Sequence, residues 1–262
     1  MSLRLLAAFW LMIMLVAPAW ADPTTVRVAV GLRLAPYVLD NEVGGLEYEY
    51  VDMIMTQMGY QITPIYVPLR DVPAAVETGK ADIALTMSDN AALSLPLSDP
   101  YVAYHNAAIT LAQRKLALTS LEDLKNYSVA AFDHATTYLG PAFKQAMAGK
   151  KDYSEYSNQM AQNILLYQGK VDVVVADVNI YAHLDNVIRH VGSIQLLPTQ
   201  RAMLFPPSCY RVMFRDGALR DRFNAALHHA HSLPGYKLIG ERWQGQVGEP
   251  VGNILLEGTA PK

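Results

Sequence analysis

Two hydrophobic rhythms alternate along this chain. Short apolar runs of strand length stand at residues 26–30, 61–67 and 83–86, and helical spacing of apolar positions fills 48–58 and 72–77 between them. Gly59 and Gly79 follow the two helical segments, where a left-handed residue ends a helix most easily. After a further strand at 107–112 the alternation starts again. Thr119-Ser-Leu-Glu122 reads as a capping box, followed by a strand at 128–132 and helices at 138–147 and 158–167. VDVVVA at 171–176 is a β-branched run suited to a strand buried on both faces. Near the end, CYRVMF reads as a strand and ALRDRFNAALHHAHSL as a helix with Leu219, Phe223, Ala226 and Leu227 on one face. Such βα alternation argues for an α/β fold in which helices cover both faces of a parallel or mixed sheet. Two βα series and a third segment suggest two lobes, with the chain crossing between them more than once.

The N-terminus breaks both rhythms. MSLRLLAAFWLMIMLVAPAWA has one basic residue, Arg4, an apolar run from Leu5 to Val16 and a small-x-small ending at Ala19-Trp20-Ala21. That is the layout of a cleaved secretory signal peptide. The apolar run is shorter than the roughly 20 residues of a bilayer span. The expectation is an exported chain of residues 22–262, delivered to the periplasm and free of a lipid anchor, because no cysteine stands at the cleavage site.

Composition then narrows the function. Without Arg4 the 21 basic residues become 20 against 24 acidic ones, a net charge of −4. No basic stripe exists, which argues against nucleic acid or an anionic membrane surface as partner. The single cysteine, Cys209, cannot form an internal disulfide, so an apolar core must hold the fold, and a chain that is 52% hydrophobic can supply one.

Seven segments in order, VRVAVGLRLAPYVL, GLEYEYVDMIMTQMGY, AAVETGKADIALT, LSDPY, SLEDLKNYSVAAF, GKVDVVVAD and LPGYKLIGERWQG, resemble the family-3 periplasmic solute-binding proteins, the amino-acid-binding components of ABC importers. The likeness runs from about Val26 to Gly245. It implies the two-lobed type II periplasmic-binding fold with a two-segment hinge. One lobe would comprise residues 22–110 and 205–262, the other 111–204. A small solute would bind between closing lobes of a monomer and be handed to a membrane permease, or to a membrane receptor. No cofactor, metal or catalytic residue is implied.

The resemblance also assigns ligand-binding positions. Thr86 and Ser88 fall on the hydroxyl positions of the family's T-I-T-x-x-R pattern, but its carboxylate-binding arginine falls on Ala91, inside a stretch without charge from Asn90 to Ser98. A forked arginine–carboxylate contact in a closed cleft contributes about 1.5–3 kcal/mol, so its loss argues against an ordinary α-amino acid as ligand. Tyr37 takes the place of a ring that stacks on the ligand, Leu34 that of a second aromatic, and Gly31 stands near a position that is acidic in some members. Leu69 matches the cleft wall. Arg70 beside it faces either the cleft or solvent. In the second lobe His134 and Thr136 match the loop offered to the ligand carboxylate, where helix-start amides bind anions. Asp177 matches the acid that receives the ligand's ammonium, and it also suits a helix N-cap. An amine-bearing solute fits this set best.

The remaining constellations are weaker. His228, His229 and His231 read as a solvated helix face, with no carboxylate nearby in sequence to complete a metal site. Met53, Met55 and Met58 read as core, and Cys209 as a buried thiol. Two alternatives stay open: an arogenate-dehydratase-like enzyme using Asp177 or Asp89 as general acid, and an orphan sensory module.

Overall fold

The computed structural model describes residues 24–40, 42–89, 93–192 and 194–259; the expected signal peptide and Ala91 lie outside them. The first βα series runs β1 (Thr24–Gly31), α1 (Leu46–Gln57), β2 (Tyr60–Val67), α2 (Val72–Glu77) and β3 (Ile83–Ser88). Strands β4 (Val102–Tyr104) and β5 (Asn106–Leu111) follow. The second series is β6 (Val129–Phe132), α3 (Ala135–Tyr138), α4 (Gly140–Met147), β7 (Tyr153–Tyr156), α5 (Gln159–Tyr167), β8 (Val173–Asp177), α6 (Val178–Val191) and β9 (Thr199–Ala202). The chain ends through β10 (Ser208–Phe214), α7 (Gly217–Leu227), α8 (Pro234–Trp243) and α9 (Val251–Ile254).

These strands form two five-stranded sheets, ordered β2-β1-β3-β10-β4 and β7-β6-β8-β5-β9. Each combines a parallel core with antiparallel partners: β1 is parallel to β2 and β3, while β10 runs antiparallel to β3 and β4. The second sheet repeats this, with β6 parallel to β7 and β8 and with β5 antiparallel to β8 and β9. This is the two-lobed α/β architecture expected. The chain passes from one sheet to the other at His105, the residue between β4 and β5, and returns through residues 203–207 between β9 and β10. The strand expected at 107–112 thus belongs to the second sheet, shifted by one residue.

Apolar patterning explains most of the packing. All six residues of β5 and all five of β8 are buried, as largely apolar strands covered on both faces must be, with Asn106, Thr110 and Asp177 the polar exceptions. On α7, Leu219, Phe223 and Leu227 are buried along one stripe. The largest buried cluster is continuous across the cleft, joining Leu34, Tyr37 and Tyr104 of one lobe to Phe132, Tyr138 and Ile180 of the other. The lobes are therefore closed on each other.

Some local readings are corrected. The capping box belongs to Ser120 and Asp123, one residue later than expected, and Thr119 also bonds the Asp123 carboxylate. The helix expected at 138–147 begins at Gly140, whose φ of 84° separates it from a short preceding helix that ends at Tyr138. His228 and His231 have carboxylate partners after all: Asp99 at 2.8 Å and Glu257 at 3.4 Å, brought from distant sequence. No cluster among the described residues could hold a metal ion, and none of their helices is long and apolar enough to cross a membrane.

Two glycines position the cleft. At Gly31 a Cβ would stand 2.8 Å from Leu69 Cδ1 and 3.0 Å from Leu34 Cδ1, so the end of β1 lies directly against these two side chains, which would have to shift for any larger residue. Gly45, at φ 116°, precedes α1, whose first amides have no side-chain cap. The loop carbonyls cap it instead: Leu46 N–H donates to Pro36 O at 3.0 Å, and Glu47 N–H to Tyr37 O at 3.0 Å. A Cβ on Gly45 would fall 2.2 Å from Tyr37 O. Gly45→Ala is expected to cost about 3 kcal/mol through strain and lost caps, read as a lower denaturant midpoint with unchanged slope. A midpoint equal to the parent's would refute this account of the Tyr37 loop.

Candidate functional site

The closed cleft holds an inner cavity of about 20 Å³, enough for about one water, and an outer chamber of about 190 Å³ at its mouth. Leu34, Leu69, Phe132 and Gln159 line both and form the partition between them. The inner cavity is walled by the rings of Tyr104, Tyr138 and Tyr210, and its remaining polar lining is Thr86, Gln159 and Asp177. Among the described residues that line it, the one charged group is an acid. Arg33 and Arg70 line the outer chamber, together with Asp133, and do not line the inner cavity.

Asp177 ends β8 and starts α6, so the helix-start position and the cleft position coincide. Its Oδ1 accepts from the Asn179 and Ile180 amides at 2.9 and 3.0 Å, capping the helix. Its Oδ2 accepts from the His105 amide at 2.8 Å and from the Tyr37 hydroxyl at 3.2 Å. Burial pushes the carboxyl up to about 6, against the downward pull of these four hydrogen bonds. Tyr37 is therefore an interlobe tie. Its ring is fully buried and stacks on Tyr104 at 3.8 Å between centroids, so that face is not offered to a ligand as expected, and its hydroxyl also accepts from Asn179 at 3.0 Å.

Asn179 extends the tie to the C-terminal segment and the crossing point. Its amide donates to Glu249 Oε1 at 2.9 Å, and its carbonyl accepts from the Gly248 amide at 2.8 Å. Glu249 pairs with His105 at 2.8 Å, and that hydrogen bond raises the imidazole above its ordinary value.

Beneath the cavity lies a group that sequence reading did not single out. Glu47, in the first turn of α1, is completely buried. It accepts from Thr86 Oγ1 at 2.7 Å, from the Tyr101 hydroxyl and from the Tyr104 hydroxyl at 2.5 Å. Burial raises its carboxyl above the usual range, opposed by those three donors. Thr86 itself sits at φ 62°, a strained conformation for a β-branched residue, with its amide donating to Tyr101 at 3.0 Å.

The other expected positions are spread more widely. Leu69 lines both spaces. Arg70 is 58% exposed, 3.9 Å from Asp71, at the rim of the outer chamber. Ser88 is buried but lines a separate cavity with Cys209 and Pro207. The His134 side chain is 47% exposed, and its φ of 61° starts the four-residue α3. The helix-start amides expected to receive a ligand anion are already engaged: His134 N–H donates to Glu155 Oε2 at 2.8 Å and Thr136 N–H to Glu155 Oε1 at 3.0 Å. Burial alone would raise the Glu155 carboxyl, but the Tyr153 hydroxyl at 2.7 Å and these amides hold it below its ordinary value. An internal carboxylate fills the anion position. Asp89, the other expected acid, pairs with Arg211 at 2.6 Å, away from the inner cavity.

Comparison with known proteins agrees with this architecture. The model of the bacterial extracellular solute-binding proteins, family 3, matches residues 26–246. Among curated proteins no sequence relative matches. The fold is similar to that of an ancestral arginine-binding protein bound to glutamine, at 23% identity and TM-score 0.66 over 84% of this chain and 98% of that one. It is also similar to a histidine kinase sensor domain with similarity to periplasmic binding proteins (18% identity, TM-score 0.68, 90% and 100% covered). A third likeness is to an ABC uptake transporter substrate-binding protein from Streptococcus pneumoniae with bound histidine (14% identity, TM-score 0.66, 87% and 94% covered). With its two closed lobes and the family model spanning nearly all the described chain, this protein belongs to the bacterial extracellular solute-binding proteins of family 3.

Proposed function

We propose that this protein captures a small amine-bearing solute between its lobes in the periplasm and passes it to the membrane permease of an ABC importer. The observation that carries this reading is the lining of the inner cavity: aromatic walls around Asp177, with no lysine or arginine among its described residues. Ring faces and a buried carboxylate attract a cation in a space that excludes water. The similar structures described above hold glutamine and histidine, both α-amino acids. In this chain the arginine position of the family pattern is Ala91, and the amides of His134 and Thr136 already hold Glu155. Both features disfavour a free α-carboxylate. Both Asp177 oxygens are engaged, Oδ1 in capping α6 and Oδ2 by His105 and Tyr37, and Asp89 is ion-paired to Arg211 away from the inner cavity, so we read the site as a binder. A turnover assay on prephenate and arogenate addresses the enzyme alternative, and a clear rate above buffer would revive it.

We further place the lobe boundaries at His105 and within residues 203–207, where the chain changes sheet. Because the cavity as closed admits only about one water, a solute enters when the lobes part at these crossings. Small-angle scattering is expected to give a smaller radius of gyration with ligand than without, and the melting temperature to rise by mass action. A thermal-shift panel of amines, polyamines, betaines and amino acids tests the class directly. A rise with zwitterionic amino acids alone would overturn the amine reading. For the compartment, the exported protein is expected to begin at Asp22; N-terminal sequencing that found Met1 on membrane-bound material would refute it.

A further inference from the structure

The amine reading leaves open what kind of nitrogen the cleft prefers, and the hydrogen-bond polarity of the inner cavity bears on that. The Thr86 hydroxyl donates its single proton to Glu47 Oε1 at 2.7 Å, so only its lone pairs remain for a neighbour in the cavity. The Tyr104 proton is committed to Glu47 in the same way, at 2.5 Å. The strained φ of Thr86, 62°, holds that residue between the buried acid and the cavity. Asp177, when ionised, is acceptor-only. Gln159 stands in the partition between cavity and chamber, only 9% exposed, and its Oε1 is sealed from solvent without a hydrogen-bond partner among the described residues. A buried carbonyl left unpaired is costly, and a donor from the solute would relieve it. Among the described lining residues, the Tyr138 and Tyr210 hydroxyls can act in either sense, and Gln159 adds the donor Nε2 of the same amide whose Oε1 is left unpaired.

We infer that Glu47 and Gln159 make the inner cavity an acceptor site, which selects a nitrogen cation carrying several N–H donors: a primary ammonium, an amidinium or a guanidinium. Glu47 is a positioning residue that fixes the direction of the Thr86 hydroxyl, and Gln159 is a direct ligand contact. A fully methylated ammonium would satisfy the rings and the charge but leave Thr86 and Gln159 unpaired in a closed cleft.

Calorimetry on the mature protein with 1,4-diaminobutane and its bis(trimethylammonium) analogue separates the two. This inference rests on the amine reading, and glutamine serves as the control for that reading. The diamine is expected to bind about 100-fold more tightly than the methylated analogue. Gln159→Leu should weaken the diamine about tenfold and leave the analogue unchanged, while Gln159→Glu should tighten the diamine. Glu47→Gln supplies an amide that can donate to Thr86 and turn its proton inward, so the ratio between the probes should narrow about tenfold. That ratio is insensitive to a general loss of stability. Equal binding of the two cations, or an equal loss of both on Gln159→Leu, would overturn the acceptor-site inference while leaving the amine reading intact. Binding of glutamine with neither cation bound would overturn the amine reading and this inference with it.

Discussion

Glu47→Ala is expected to lower the melting temperature by about 10–20 °C, the largest single-residue effect on stability foreseen for this protein. Truncation removes the acceptor of three buried hydroxyls, those of Thr86, Tyr101 and Tyr104, all within 3% of full burial. Each hydroxyl left unsatisfied costs about 1–3 kcal/mol, and the vacated volume adds a cavity term. The total of about 5 kcal/mol is a large part of the usual 5–15 kcal/mol of a domain. Glu47→Gln should cost less, about 1–2 kcal/mol, because the amide keeps the volume and one acceptor oxygen. The comparison matters because a buried charge is itself unfavourable. Burial raises the Glu47 carboxyl, so its ionised form weakens the fold, and only the three donors offset that. A melting temperature for Glu47→Ala within a few degrees of the parent would show that the hydroxyls find other partners.

Glu47 also shows where sequence reading stopped and why. The helical stripe that buries Tyr50, Val51 and Ile54 passes through position 47 at the spacing of i, i+3, i+4 and i+7, so the periodicity already placed an acid on the buried face. What the pattern does not carry is the identity of its partners, which come from β3, from β4 and from Tyr101 just before β4, 39 to 57 residues away. Gln159 and Gln162 are a similar case, two amides three residues apart on the buried side of α5. The β-branched run ending in Asp177 was legible as a strand and a helix start together, because local propensity and sheet burial favour the same residues there. The crossing between sheets was less so, since His105 interrupts an unbroken apolar stretch and only pairing partners reveal which sheet each half joins. Similarly, nothing in the sequence near His134 marks Glu155 as the group that fills the anion position; strand β7 carries it there by pairing with β6.

These two buried acids act on the cleft from opposite lobes. Glu47 reaches it through Tyr104, whose ring stacks on Tyr37, and Tyr37 in turn donates to Asp177. The Tyr37 bond is the longest of the four to Asp177, at 3.2 Å against 2.8–3.0 Å. A solute ammonium approaching Asp177 would replace that bond most easily, exchanging a neutral donor for a charged one. The tie between the lobes would then pass through the solute, which couples binding to closure.

Asp177→Asn is accordingly expected to weaken amine binding by roughly 10- to 100-fold at pH 7.5 while changing stability little. The charge-assisted contact is lost, and the new amide nitrogen faces the His105 N–H across 2.8 Å, donor against donor. Against that cost stands the removal of a buried charge. The folded-state value of about 6 lies above the ordinary 3.8, so ionised Asp177 weakens the fold by about 3 kcal/mol above pH 6. The sign follows from proton counting: between pH 4 and 6 the folded state binds more protons at this site than the unfolded state. Stability contributed by Asp177 therefore rises as pH falls from 7 to 4, and the difference between parent and Asp177→Asn should change in that sense across the window. Binding runs the other way, because a protonated Asp177 no longer attracts a cation; parent affinity should fall up to about tenfold per unit below pH 6, and the variant's should stay flat. Calorimetry and denaturant melts at pH 5, 6 and 7.5 measure both. If affinity for the amine is as high at pH 5 as at 7.5 in the parent, Asp177 is not the group that holds the cation.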